Sequence, residues 1–172
     1  HGELKLASAI DNMNADLYYS KFTANSINGS STSVNASYST LDVQNWNVGT
    51  VYLKYVKKAN FNYVKRMMLT SKSSDISIDN LSNSAIINGS IGSLTINKIE
   101  DTFNNLNITI ENSDAIISVP NVNYNIQYNG VKSKFTHPKQ SQKQHVSTFS
   151  AGDFSSPKSI VINAKYSNIA MQ

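Results

Sequence analysis

Pairs of apolar residues, separated by one residue and recurring at a near-constant interval, set the pattern of this chain. Taking Leu41 as an anchor, Val43 follows two residues later and Trp46 five residues later. The same spacing recurs as Leu4, Leu6, Ala9, as Phe22, Ala24, Ile27 and as Ala59, Phe61, Val64. It continues as Ile76, Ile78, Leu81, then Leu94, Ile96, Ile99, then Ile117, Val119, Val122, with a last anchor at Ile169 followed by Met171. By subtraction the anchors lie 18, 19, 18, 17, 18, 23 and 52 residues apart. A second apolar column stands seven residues before the anchor: Ala15, Val34, Leu69, Ile87, Ile110 and Ile162. Coil four joins this column only with a one-residue slip from Tyr52 to Val51, which predicts a bulge. Three residues after the anchor stand amides or carboxylates: Asn25, Gln44, Asn62, Asp79 and Asn97.

Alternation over a few residues predicts short strands rather than helices. Repetition near every 18 residues predicts that each coil stacks on the next, as in a solenoid. The expected fold is therefore all-β, a single-stranded β-solenoid (β-helix-like) of about seven short coils in one domain. Hairpins of a β-sandwich would not keep one 18-residue register. Regular coils are expected over residues 1–119, a capping excursion over 120–158 and a final coil over 159–172. An uncovered solenoid end exposes strand edges, which is the reason to expect a cap. Five extra residues, Glu100 to Asn104, account for the 23-residue interval as a bulged corner. The amide column is expected at corners, where Asn and Asp tolerate left-handed geometry.

Charged residues make up only 15% of the 172, against a usual figure of about 25%. Polarity is carried instead by 26 Ser and 23 Asn, while the apolar columns give every coil a face to bury. No cysteine is present, which removes disulfides, thiol catalysis and thiolate metal sites. No apolar run approaches the roughly 20 residues of a membrane-spanning helix. The chain begins at His1 in mid-coil, and a trimmed or mature fragment is expected, its export signal removed.

The unit [Lys/Ser]-[Tyr/Ser]-Ser-x-[Ile/Leu]-x-[Ile/Val] is carried by Ser37–Val43, Lys72–Ile78 and, with Met in the last place, Lys165–Met171. With the inserted corner Thr102–Ile108 and the late polar excursion, it resembles the adhesin-like family of bacterial envelope β-solenoid proteins. The serine-threonine or serine-asparagine after the tyrosine departs from that family's commoner glycine-aspartate. The resemblance implies an exported, non-enzymatic protein of the periplasm, outer membrane or cell surface, with a structural or adhesin-like role.

Candidate chemistry is sparse. Asp42, Asp75, Asp79, Glu111 and Asp114 are the acids that a polysaccharide-degrading β-helix would use, yet no two share a column on adjacent coils. His1, His137 and His145 have no acidic partner at metal-ligand spacing, and no Gly-x-Ser-x-Gly elbow occurs. No catalytic residue, metal or cofactor is expected. The one distinctive stretch is coil four, where 5 of the 15 basic residues are interleaved with tyrosines. Tyr52, Lys54, Lys57, Lys58, Tyr63, Lys65 and Arg66 form a candidate basic-aromatic face for a glycan or another polyanion. Lys132, Lys134, Lys139 and Lys143 make a second basic group. The net charge of +4 and the lack of a recognised motif disfavour nucleic acid, while an envelope protein remains a candidate partner.

Overall fold

The computed structural model describes residues 2–139 and 146–172. Of the described residues 74% lie in strands and none in a helix, and the parallel coils stack into a β-solenoid of about 6 turns. In chain order the strands are β1 (Gly2–Ile10), β2 (Asn14–Tyr18), β3 (Ser20–Ile27), β4 (Thr32–Ser37), β5 (Thr40–Lys54) and β6 (Lys58–Ile96). They continue as β7 (Asn105–Ile117), β8 (Asn125–Val131), β9 (Lys134–Thr136), β10 (Thr148–Gly152), β11 (Ser159–Lys165) and β12 (Asn168–Met171).

Each coil has three sides. On the anchor side, Leu4 pairs with Phe22, Phe22 with Leu41 and Leu41 with Ala59, all in parallel. On the long side, Ala15 pairs with Val34, Val34 with Val51 and Val51 with Leu69. A short side carries Ile27 beside Trp46 and Trp46 beside Val64. Period-two alternation turns these residues inward, and Phe22, Val43, Val51, Phe61, Val64 and Leu69 are fully buried. Burying each such large side chain is worth about 1.5–3 kcal/mol. Trp46 packs edge-to-face on Phe61 at 5.8 Å.

The register departs from the sequence expectation in the first coil, where Ile10 rather than Ala9 pairs with Ile27, and again further along the stack. Leu94 pairs with Ala115, not Ile117, and Ala115 pairs in turn with Ile169. The anchor interval is therefore 115 − 94 = 21, and the matching long-side residue is Ile108 rather than Ile110. The corner insertion amounts to three residues rather than five, and it buries Phe103. The slip in coil four is not a strand bulge. Val51 pairs in register on both sides, and the extra residue is Lys57, in the corner between β5 and β6.

The left-handed positions also differ from the expected amide column. They are Tyr19, Tyr38, Tyr55, Ser73, Ile91, Asn112, Lys132 and Tyr166, with φ between 48 and 58°. All stand at the corner joining the long side to the anchor side. A non-glycine residue pays about 1–2 kcal/mol for this conformation. The residue after it explains how the corner is held. Ser39, Ser74, Ser113, Ser133 and Ser167 are buried, and each hydroxyl donates to the carbonyl two residues earlier at 2.8–2.9 Å. The same oxygens accept a backbone N–H from the neighbouring rung: Ser20 to Ser39, Val56 to Ser74, Ser113 to Ser167 and Ser167 to Ser133, at 3.0–3.1 Å. At coil six Gly92 takes the serine place with φ 143°, and a Cβ there would come within 2.0 Å of the Ser74 carbonyl oxygen.

At the C-terminal end the rungs do not follow chain order. β11 lies between β7 and β8, and β12 lies between β7 and β9. The segment after β7 thus forms a rung beyond the last coil of the chain. β10 then pairs antiparallel with β8, against the parallel rule of the stack. Phe149 of β10 packs against Phe135 at 5.3 Å, and Phe135 stacks on Tyr128 at 4.1 Å.

Two substitutions test the corner. Ser167→Ala leaves the buried Ser113 N–H without its partner and is expected to cost about 1–3 kcal/mol in denaturant unfolding. Ile91→Asn replaces a β-branched left-handed residue by one that tolerates the geometry, and is expected to raise stability by about 1 kcal/mol. An unchanged midpoint in both would contradict the serine-column account.

Candidate binding surfaces

Successive residues of one coil encircle the solenoid, so coil four's basic-aromatic residues do not form one face. Tyr52 projects outward from the long side between Asn35 and Thr70. Lys54, Lys57 and Lys58 gather at the left-handed corner. Tyr63 and Lys65 lie beyond Phe61 on the short side, beside a hollow of about 220 Å³ that Ser26, Asn45 and Asn47 also line. Arg66 lies one corner further, in a separate groove.

The left-handed corner collects residues from several coils. Tyr19 stacks on Tyr38, and Tyr38 on Tyr55, each at 5.0 Å, and Tyr18 packs edge-on against Tyr19 at 4.4 Å. The ring faces are therefore turned toward one another and their edges toward solvent. Lys54 pairs in register with Lys72 and sits 5.5 Å from the Tyr55 ring centre. Like charges on adjacent rungs repel, so this corner attracts anions but is not stabilised by its own lysines.

The groove holding Arg66 has a volume of about 700 Å³ and runs along the corner between the short and long sides. Its origin is corner length. From the short-side column to the long-side column the chain takes 34 − 27 = 7 residues in coil two, then 51 − 46 = 5 and 69 − 64 = 5. Coil five takes 87 − 81 = 6 and coil six 108 − 99 = 9. Long corners at Ser30–Ser33 and Asn104–Asn105 stand at the ends, and short corners at Gly49, Met67 and Ser84 form the floor. The buried Trp46 indole donates to the Arg66 carbonyl at 3.2 Å, fixing the backbone there. The Arg66 Nε donates to Asn83 Oδ1 at 3.3 Å, which also accepts from the Ser84 hydroxyl at 2.9 Å. Among the described residues no acid lines this groove. The sequence singled out Arg66 by its charge but missed Asn83, Ser84, Met68 and the end walls. Unequal corner lengths between fixed columns were the signal for them.

Four of the five candidate acids serve as ties between rungs. Asp75 accepts from Ser93 and Asp79 from Asn97, both at 2.7 Å. Asp114 accepts from Asn168 at 2.7 Å, and Glu111 pairs with Lys165 at 2.8 Å. Asp42 accepts from Gln44 on its own coil at 3.1 Å.

His1, His145 and Lys143 lie outside the described residues. His137 is buried in the cap, where its Nδ1 accepts the Lys139 backbone N–H and its Nε2 meets the Tyr124 hydroxyl, each at 3.1 Å. Since Nδ1 accepts, Nε2 carries the proton and donates to Tyr124. Burial lowers the imidazole pKa from its ordinary 6.5, and the Lys139 charge adds to the effect. Among the described residues no three metal-ligating side chains come together. Lys132 and Lys134 flank Ser133 on the cap rung, with Lys132 lying 5.6 Å from the Tyr166 ring centre.

Comparison with family models, curated proteins and solved structures finds no match to this chain.

The cap should be sensitive to acid. Above about pH 6.5 His137 is neutral in both the folded and the unfolded chain, and it contributes no pH dependence. As pH falls through 6.5 the unfolded chain takes up a proton that the folded cap resists, so stability falls. Thermal unfolding is expected at a lower midpoint at pH 5 than at pH 7, with His137→Gln flattening that difference. Equal slopes for both proteins would sink this assignment.

Proposed function

We propose that this chain is a non-enzymatic structural or adhesin-like module of the cell envelope or cell surface, acting as a rigid rod. The observation that carries the reading is the use made of its polar side chains. Asp75, Asp79, Asp114 and Glu111, with Asn62 on Gln44 and Asn35 on Asp16, bind from rung to rung. These contacts oppose sliding and bending between coils, which is what a spacer or contact element needs. The resemblance to envelope β-solenoids and the absence of cysteine from the sequence agree with an exported protein of the periplasm, outer membrane or cell surface.

A second reading, a glycan- or polyanion-binding module, has its own support in the unopposed cations. Lys54 and Lys72 align on adjacent rungs, and Arg66 lines a groove without an acid among the described residues. The two surfaces lie on different corners, and each is assembled from several coils.

The test is retention of the purified chain by isolated bacterial envelopes, together with an assay for new reducing ends on a polysaccharide panel. Saturable retention without cleavage is expected. Cleavage that disappears in Asp42→Ala or Asp79→Ala would replace the structural reading with an enzymatic one.

A further inference from the structure

We infer that the Arg66 groove is a binding site for an acidic oligosaccharide, with Arg66 receiving a sugar carboxylate. This rests on the binding-module reading and names its site and ligand class.

The groove's length comes first. Its lining runs from Ser30 through Gly49, Met67 and Ser84 to Asn105, residues of five successive corners. Four steps of about 4.8 Å make it roughly 19 Å long, a fit for an extended chain rather than a compact metabolite. Its chemistry comes second. Ser30, Ser31, Ser33, Thr50, Asn83 and Asn105 offer neutral hydroxyl and amide groups, which match sugar hydroxyls. Met68 and Ile86 are 47% and 38% exposed and offer apolar surface to the C–H face of a sugar ring.

Arg66 supplies the third element. It is the only arginine in the chain and, among the described residues, the only charged one lining the groove. Trp46 holds its carbonyl and Asn83 holds its Nε, so the guanidinium is positioned by contacts other than an ion pair. Its terminal nitrogens make no protein hydrogen bond among the described residues, which leaves a planar donor pair suited to a carboxylate.

Other extended ligands fit less well. A nucleic acid strand would bring a phosphate at every step and meet one cation. A peptide binding by strand addition needs an unpaired sheet edge, and the floor strands already pair on both sides, Val51 with Val34 and Leu69.

The experiment is a titration of the whole chain against oligosaccharides of four sugars, uronic-acid and sialic-acid types beside neutral ones, at two salt concentrations. Two variants run in parallel: Arg66→Gln, and the corner triple Lys54→Gln, Lys57→Gln, Lys58→Gln. Thermal unfolding of each checks that the fold is intact. The expected result is acid-selective, salt-sensitive binding that Arg66→Gln weakens by about tenfold or more, a larger loss than the corner triple causes. Binding lost in the corner triple and kept in Arg66→Gln would overturn the groove while leaving the binding-module reading on the other corner. No binding of any oligosaccharide would overturn both. The envelope-retention measurement is separate from either outcome.

Discussion

Everything in this molecule depends on parallel backbone pairing between residues about one coil apart. That pairing gives every side chain two neighbours along the axis, drawn from the coil before and the coil after. Like must therefore sit on like: apolar on apolar inside, and hydroxyl or amide on its equivalent at the surface. The left-handed corner makes the constraint visible. Seven of its eight residues are not asparagine, and Ile91 is β-branched, yet φ stays near 50° throughout. The backbone must turn there at every coil, and where a buried serine follows it holds the turn by bonding its own coil and, at Ser39, Ser74, Ser133 and Ser167, a backbone N–H of the rung before it. Where Val56 replaces that serine, the Val56 N–H still reaches the Ser74 hydroxyl, and the corner accommodates Lys57 without moving Val51 out of register.

This constraint also explains what the sequence made legible. Strand alternation and an 18-residue interval were enough for the solenoid, and Leu41 pairs in parallel with Phe22 and Ala59 as a solenoid requires. The register failed at Ala115, because alanine is a weak apolar letter and Ile117 and Val119 offered a stronger match two residues on. The left-handed column was misplaced because tyrosine, serine and lysine carry no propensity for that geometry; at all of them but Tyr55 a serine follows and holds the turn. At the surface, charge alone singled out coil four. Charge said nothing of partners one coil away, so Lys54 was grouped with Arg66 when its neighbours are Lys72 and Tyr55.

The reversed rung order at the C-terminal end follows from the need to finish the stack. A parallel sheet has an open edge wherever it stops, and adding one more parallel coil only moves the edge along. Placing β11 and β12 inside the rung formed by β8 and β9 satisfies the last segment on both sides. The antiparallel β10 then changes the pairing pattern at the outermost position. The aromatic cluster of Tyr128, Phe135 and Phe149, with neutral His137 hydrogen-bonded to Tyr124, fills the end that a further coil would otherwise cover.

Function on such a scaffold has to come from the corners, because the sides are fixed by pairing and the interior by apolar columns. A corner can gain or lose residues while the columns on either side keep their partners. Coil six, with nine residues where coils three and four use five, shows the range that the stack accepts. A long corner at each end of a run of short ones creates a groove without disturbing Trp46, Phe61 or Leu69 behind it. The floor inherits the rigidity of the ladder, so a ligand would meet Arg66 on a fixed backbone, with little ordering cost in the protein. The same fixed spacing favours ligands that themselves repeat along an axis, since each rung offers a similar step. A chain of sugars shares that property, and one arginine in a neutral groove would then select for charge at a single step.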